Sequence, residues 1–147
     1  MLAMSAQSAT TVTVSVTVLA PLPCVINGSK PIIVDFGDEV MTTRIDGARY
    51  SRQVDYGLSC SGQARNSLRL QIAGDRAAFD GQLLKTSVTG LGIALRRGSS
   101  ERIAVNSWQN FTYPVLPELW AIPVKQPGAQ LPTGEFTASA TMRVDYQ

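Results

Sequence analysis

The segment Gly134-Glu135-Phe136-Thr137-Ala138-Ser139-Ala140-Thr141-Met142-Arg143-Val144-Asp145-Tyr146-Gln147 decides how the rest of the chain is read. Phe136, Ala138, Ala140, Met142, Val144 and Tyr146 alternate with Glu135, Thr137, Ser139, Thr141, Arg143 and Asp145. Side chains along a strand point to opposite faces in turn, so a period of two predicts one long strand with an apolar and a polar side. The sequence ends one residue after Tyr146, and the last strand is expected to end with the protein. Near the other terminus, Thr10-Thr11-Val12-Thr13-Val14-Ser15-Val16-Thr17-Val18 is almost entirely β-branched. It places Val12, Val14, Val16 and Val18 on one face and hydroxyl residues on the other.

The same period recurs between the termini, in Val54, Tyr56, Leu58 and Cys60, in Leu68, Leu70 and Ile72, in Leu91, Ile93 and Leu95, and in Trp120, Ile122 and Val124. Turn chemistry separates these runs: Asn27-Gly28-Ser29, Gly74-Asp75, Gly98-Ser99-Ser100, Pro127-Gly128 and Pro132-Thr133-Gly134 supply a positive or preset φ. No stretch keeps a 3.6-residue apolar period over three turns. Many short strands without helices predict an all-β antiparallel sandwich, immunoglobulin-like in type.

A chain of 147 residues is long enough to bury one core. Its net charge of +2 comes from scattered basic residues, with Arg96-Arg97 the densest pair, so no electrostatic stripe points to nucleic acid or an anionic membrane. Cys24 and Cys60 lack Cys-x-x-Cys spacing, and no histidine exists to complete a zinc site. A structural disulfide fits them best, and two buried free thiols are the alternative. A bridge of this span contributes about 4 kcal/mol in the chain-entropy account and requires an oxidising compartment. Residues 1–8, Met1-Leu2-Ala3-Met4-Ser5-Ala6-Gln7-Ser8, resemble the small-residue end of a signal peptide, with cleavage expected after Ala6 or Ser8.

The absence of histidine also removes the usual serine-hydrolase triad and the cysteine–histidine nucleophile. Asp35, Asp38, Glu39, Asp55, Asp75 and Asp80 read as turn carboxylates rather than a facing acid pair. No catalytic residue, metal ligand, cofactor or small-molecule substrate is assigned. The cluster Trp108-Gln109-Asn110-Phe111-Thr112-Tyr113-Pro114 has the composition to stack a sugar, which would suit a carbohydrate-binding tip adhesin, but packing is the commoner use of such residues.

Taken in order, these pieces resemble a known family. The valine-rich extension leads through Pro21-Leu22-Pro23 into Cys24, then Val25-Ile26-Asn27-Gly28 and Ile32-Ile33-Val34-Asp35-Phe36-Gly37-Asp38. This is similar to the opening of subunits of chaperone–usher pili of the type 1 and P groups, above all their minor tip and adaptor pilins. Leu91-Gly92-Ile93-Ala94-Leu95 is similar to a pilin strand, and the second cysteine stands at the family's distance. The penultimate Tyr146 and Gly134, fourteenth from the C-terminus, match the family's terminal pattern.

The resemblance implies an incomplete immunoglobulin-like sandwich lacking its last strand and completed by donor-strand complementation. It divides the chain into a signal-peptide remnant at 1–8, a donor-strand extension at 9–20 and a pilin domain at 21–147. Val12, Val14, Val16 and Val18 become the donor strand. Phe136, Ala138, Ala140, Met142, Val144, Tyr146 and Gln147 become the strand that borders the acceptor groove and binds the chaperone. The implied partners are a periplasmic chaperone, an outer-membrane usher, and neighbouring pilins or a tip adhesin. The implied route runs through the periplasm to an extracellular pilus on the bacterial surface. Burying the four valines of the extension contributes about 6 to 12 kcal/mol as an upper bound. One departure stands out: the family's extension often carries a glycine, and Val16 occupies about that place, which implies a roomier acceptor groove there.

Overall fold

The structure, a computed structural model, describes residues 9–19, 23–37 and 40–147. The expected signal-peptide remnant at 1–8, and Asp38 and Glu39, lie outside the described residues. In chain order the strands are β1 (Ala9–Leu19), β2 (Cys24–Ile26), β3 (Ile32–Asp35), β4 (Val40–Met41), β5 (Arg52–Gln53), β6 (Leu58–Cys60) and β7 (Ser67–Ala73). They continue as β8 (Arg76–Ala77), β9 (Asp80–Lys85), β10 (Leu91–Arg97), β11 (Glu101–Ile103), β12 (Trp108–Thr112), β13 (Leu119–Lys125) and β14 (Gly134–Tyr146). Two short 3-10 turns, Asn27–Ser29 and Thr42–Arg44, are the only helical pieces among the described residues.

Two sheets face each other. One runs β12-β7-β14-β1-β3, with β4 also paired to β1; the other runs β5-β13-β10-β9-β8, with β11 also paired to β10. A short β2-β6 ladder stands apart and carries the two cysteines opposite each other. Apolar residues from both sheets, among them Val14, Leu70, Ile93, Leu119 and Phe136, form one buried cluster. In β7, for example, the alternation read from sequence marks the inward face, where Leu68, Leu70 and Ile72 are buried; in β13 it does not, because Leu119 and Ala121 enter the main core while Trp120, Ile122 and Val124 lie on the other face in a separate cluster with Leu83 and Ala94. β10 is different, being buried on both faces from Leu91 to Leu95. There Gly92 is required by close packing, since a Cβ at that position would meet the Leu83 side chain at 3.0 Å.

The N-terminal strand lies inside the first sheet, between β14 and β3. The sequence separates residues 9–20 from the domain that follows; within this single chain, β1 fills a slot of that domain's own sheet. An apolar strand beside an open apolar edge has one way to leave water within a single molecule, and that is to enter it.

Candidate functional site: a groove filled by a strand

The groove is built by β14 on one side and β3 on the other. β1 runs parallel to β14 in the register Val12↔Phe136, Val14↔Ala138, Val16↔Ala140 and Val18↔Met142. It runs antiparallel to β3, with Val14↔Val34 and Val16↔Ile32. Val12, Val14 and Val16 are at most 3% exposed, whereas Val18 is only partly buried, so three of the four valines enter the core completely. The two central valines stand opposite alanines, and this pairing of branched with small side chains fills the slot without overpacking. Within this chain Val16, which stands about where the family's extension often has a glycine, faces Ala140. At the mouth, the Thr10 hydroxyl donates to the Gly134 carbonyl and the Phe36 N–H donates to the Val12 carbonyl at 3.2 Å.

Not all of the terminal strand faces β1. Pairing with β1 ends at Leu19↔Arg143, while β7 takes Thr141 to Tyr146. Phe136, Ala138, Ala140 and Met142 therefore border the filled slot, and Val144 and Tyr146 pair with Leu70 and Leu68 of β7. The end of the chain is held by its own domain. The Gln147 N–H donates to the Ser67 carbonyl at 3.1 Å, its side-chain amide donates to the Leu68 carbonyl at 2.7 Å, and Arg65 donates to the Gln147 carbonyl at 3.0 Å. The Arg65 guanidinium also lies 4.6 Å from the centre of the Tyr146 ring. Ile32, Val34 and Phe36, buried on the opposite wall, and Arg65 are site residues that the sequence reading did not single out. The alternation of Ile32, Val34 and Phe36 was a usable signal for the wall; for Arg65 there was none.

Cys24 and Cys60 form a disulfide, with Cα atoms 4.0 Å apart. The Cys60 N–H donates to the Tyr113 hydroxyl at 3.1 Å, and the Tyr113 N–H donates to the Asn66 carbonyl at 2.9 Å. Asn66 directly precedes β7, so the bridge is fixed at the Tyr146 end of β14. The aromatic cluster is engaged in packing of the same kind. The Arg69 guanidinium lies 4.2 Å from the Trp108 ring centre, and Phe111 is buried.

Two titratable groups report local environments. Burial pushes the Tyr56 phenol well above its usual value, and its hydroxyl donates to the Pro117 carbonyl. Backbone N–H groups of Arg49 and Ala48 hold the exposed Asp46 carboxyl below its usual value. The other carboxylates flagged in the sequence serve turns where they are engaged: Asp35 accepts from the Gly37 N–H and Asp80 from the Gln82 N–H. Among the described residues no group of histidine, cysteine or acidic side chains is arranged to hold a metal.

Comparison with known proteins agrees with this geometry. Residues 11–147 match the family described as Fimbrial protein. The chain is 41% identical to the fimbrial-like protein YfcR of Escherichia coli K12, over 87% of this chain and 75% of that protein. It is 34% identical to YfcQ of the same strain, over 89% and 83%. In structure it is similar to the P pilus rod subunit PapA, with a TM-score of 0.70 at 22% identity, covering 85% of this chain and 99% of PapA. It is also similar to the P pilus adaptor subunit PapF, with a TM-score of 0.60 at 25% identity, covering 85% and 96%. The sandwich is thus the immunoglobulin-like pilin fold, whose sheet is completed by an inserted complementing strand. The chain belongs to the fimbrial protein family and is a structural, non-enzymatic subunit of a chaperone–usher pilus.

Proposed function

We propose that this subunit joins its neighbours by strand exchange, with Val12, Val14, Val16 and Val18 as the donor strand and the groove along Phe136 to Met142 as the acceptor. The observation that carries this reading is the slot itself. It is a gap between β14 on one side and β3 and β4 on the other, filled by a strand that is followed by the linking residues 20–23. A strand held mainly by backbone pairing and alternate apolar side chains is replaceable by another strand of the same pattern. Before assembly the same groove is covered by a periplasmic chaperone, which reads β14 through to Val144, Tyr146 and Gln147. The exchange happens at an outer-membrane usher, and the subunit ends on the bacterial surface.

Within the pilus we assign it to the minor tip or adaptor class. The run from Cys24 to Asp38 supports this assignment by its resemblance to such subunits; the fold itself is shared by the rod subunit PapA and the adaptor PapF. Packing of Trp108 and Phe111 within the domain supports a joining role over sugar recognition. The test is deletion of Ala9 to Leu19 in a subunit co-expressed with its chaperone. A soluble chaperone complex that no longer passes its arm to a preceding pilin is expected. Loss of the chaperone complex itself would show that the strand is an integral part of this domain. Immunogold label confined to pilus tips is expected for the adaptor place, and label along the shaft would reassign the subunit to the rod.

A further inference from the structure

The basic residues look scattered in sequence, but folding brings two of them together on the outer face of the second sheet. Arg96 and Arg97 are neighbours in β10, so their side chains leave on opposite faces. Arg96 stands directly opposite Arg102 of β11 and, on its other side, opposite Trp120 of β13. Like charges at facing positions of two strands destabilise the pair unless a negative group lies between them. Arg102 is relieved in part by Asp80, 3.7 Å away. Arg96 makes no ion pair among the described residues, and its Nε is shut off from solvent without a hydrogen-bond partner. Its guanidinium lies 5.6 Å from the centre of the Trp120 ring, and the indole is fixed in turn by its N–H, which donates to Glu118 at 2.8 Å. A ring face is a weak acceptor, so a buried charged donor is held in place and left available.

The two guanidiniums stand at one end of a cleft of about 360 Å³. From them the floor runs along β13 and β10 through the facing pair Ile122 and Ala94 to Val124. The turn carrying Asp46 borders the other end, where a Cβ on Gly47 would lie 3.9 Å from the Val124 side chain. Asp46 Oδ1 accepts from the N–H groups of Ala48 and Arg49, and Oδ2 lies 3.3 Å from Arg49 Nε. A carboxylate has about four lone-pair sites, so Oδ2 can still accept a hydrogen bond.

The cleft thus has cations at one end, an apolar floor and an anionic acceptor at the other. Its volume suits a single ring rather than an extended chain. A bare inorganic anion would leave the floor wet and meet repulsion from Asp46. An acidic peptide side chain would bring a carboxylate but no hydroxyl for Asp46. An acidic sugar brings all three features: a carboxylate on one side of the ring, an apolar ring face and hydroxyls on the far side.

We propose that this cleft binds an acidic sugar of the hexuronic type, with Arg96 and Arg102 clamping its carboxylate, Ala94, Ile122 and Val124 beneath its ring and Asp46 accepting from its hydroxyls. Trp120 is a positioning residue that holds the Arg96 guanidinium. The inference goes beyond strand exchange and does not depend on it, since the cleft lies on the sheet that β1 does not enter.

The test is a titration of the closed monomer with methyl β-glucuronide, followed in N–H correlation spectra in slightly acidic, low-salt buffer. Saturable shifts of the Arg96 Nε–H and the Trp120 indole N–H are expected, at the roughly millimolar affinity that so small a ligand can reach. Methyl β-glucoside, the same ring without the charge, should bind at least about tenfold more weakly. The α-amide of N-acetylglutamate, a charge without the hydroxyls, should be weaker by about the same factor. Arg96→Lys keeps the charge but loses the two-pronged donor, and a loss of about tenfold is expected. Arg102→Gln, at an exposed position, should abolish saturation while the N–H peaks of the core stay in place.

Absence of saturable shifts at Arg96 and Trp120, or equal binding of the glucoside, would overturn the proposal. So would unchanged binding in folded Arg102→Gln. Binding of the glutamate amide as tight as that of the glucuronide would overturn it in favour of an acidic peptide. None of these outcomes bears on the donor-strand reading, which is tested by deleting the arm.

Discussion

β1 and β10 are interior strands of the two sheets, and they are held in opposite ways. β10 is buried on both faces from Leu91 to Leu95, pairs antiparallel with β13 along its whole length, and is joined to neighbours by loops at both ends. β1 buries one valine face, leaves Thr11, Thr13 and Ser15 half-buried and Thr17 exposed on the other, and runs parallel to β14. A strand buried on both faces fits one environment. A strand with a repeating one-sided pattern fits any slot of matching depth, and in the proposed strand exchange this is the difference between an exchangeable β1 and a permanent β10.

A charge placed in each strand tests the contrast most severely. Ile93→Asp puts an unpaired carboxylate where the side chain is wholly buried, at a cost of several kcal/mol, and no soluble subunit is expected with or without chaperone. Val14→Asp should prevent closure of the monomer yet leave a soluble chaperone complex at near wild-type yield, measured by co-purification. Equal loss from both substitutions would make β1 as permanent as β10.

Removing the disulfide should have the next largest effect. Cys24→Ser with Cys60→Ser is expected to lower the stability of the closed monomer by about 4 kcal/mol in urea titration. An unchanged midpoint would mean that the bridge does not constrain the unfolded chain. The β5–β13 side should respond more weakly. Tyr56→Phe removes a buried hydroxyl donor from the Pro117 carbonyl and is expected to cost about 1 kcal/mol. Because burial raises the Tyr56 pKa, its contribution is complete below the ordinary phenol value near 10 and is lost as pH rises through the folded value. The phenylalanine variant should lack that alkaline loss.

The smallest effect is expected at the exposed turn. The lowered Asp46 pKa gives a contribution present above the ordinary carboxylate value near 4 and lost as pH falls through the folded value. Asp46→Asn should lower the melting temperature slightly at neutral pH, with the difference from wild type vanishing in strong acid.

Much of the molecule was legible in the alternation. Phe136 to Val144, Leu68 to Ile72 and Val12 to Val16 all bury the faces that period two assigns to them. The cysteines pair as their even number and the missing histidine suggested. Leu91 to Leu95 was legible as a strand but not as one buried on both faces, since Ala94 and Gly92 are small enough to read as either side. The aromatic run from Trp108 to Pro114 was ambiguous because stacking and packing use the same residues, and the position of Arg69 over Trp108 comes from a strand distant in sequence.

The sequence by itself determined the faces of the strands, the turns between them, the bridge and the two terminal segments with matched apolar sides. These are local properties, set by the two-residue repeat of an extended chain and by the φ preferences of glycine, proline and asparagine. The tertiary structure alone decided which strand stands beside which: that β3 forms the second wall of the groove, that Arg65 holds the chain end, and that β1 lies parallel to β14 with Ser15 opposite Ser139. An alternating pattern fixes which side of a strand is buried but carries no information about its direction or its neighbour. In this chain the direction and the neighbours are those of the folded sheet, parallel to β14 and antiparallel to β3.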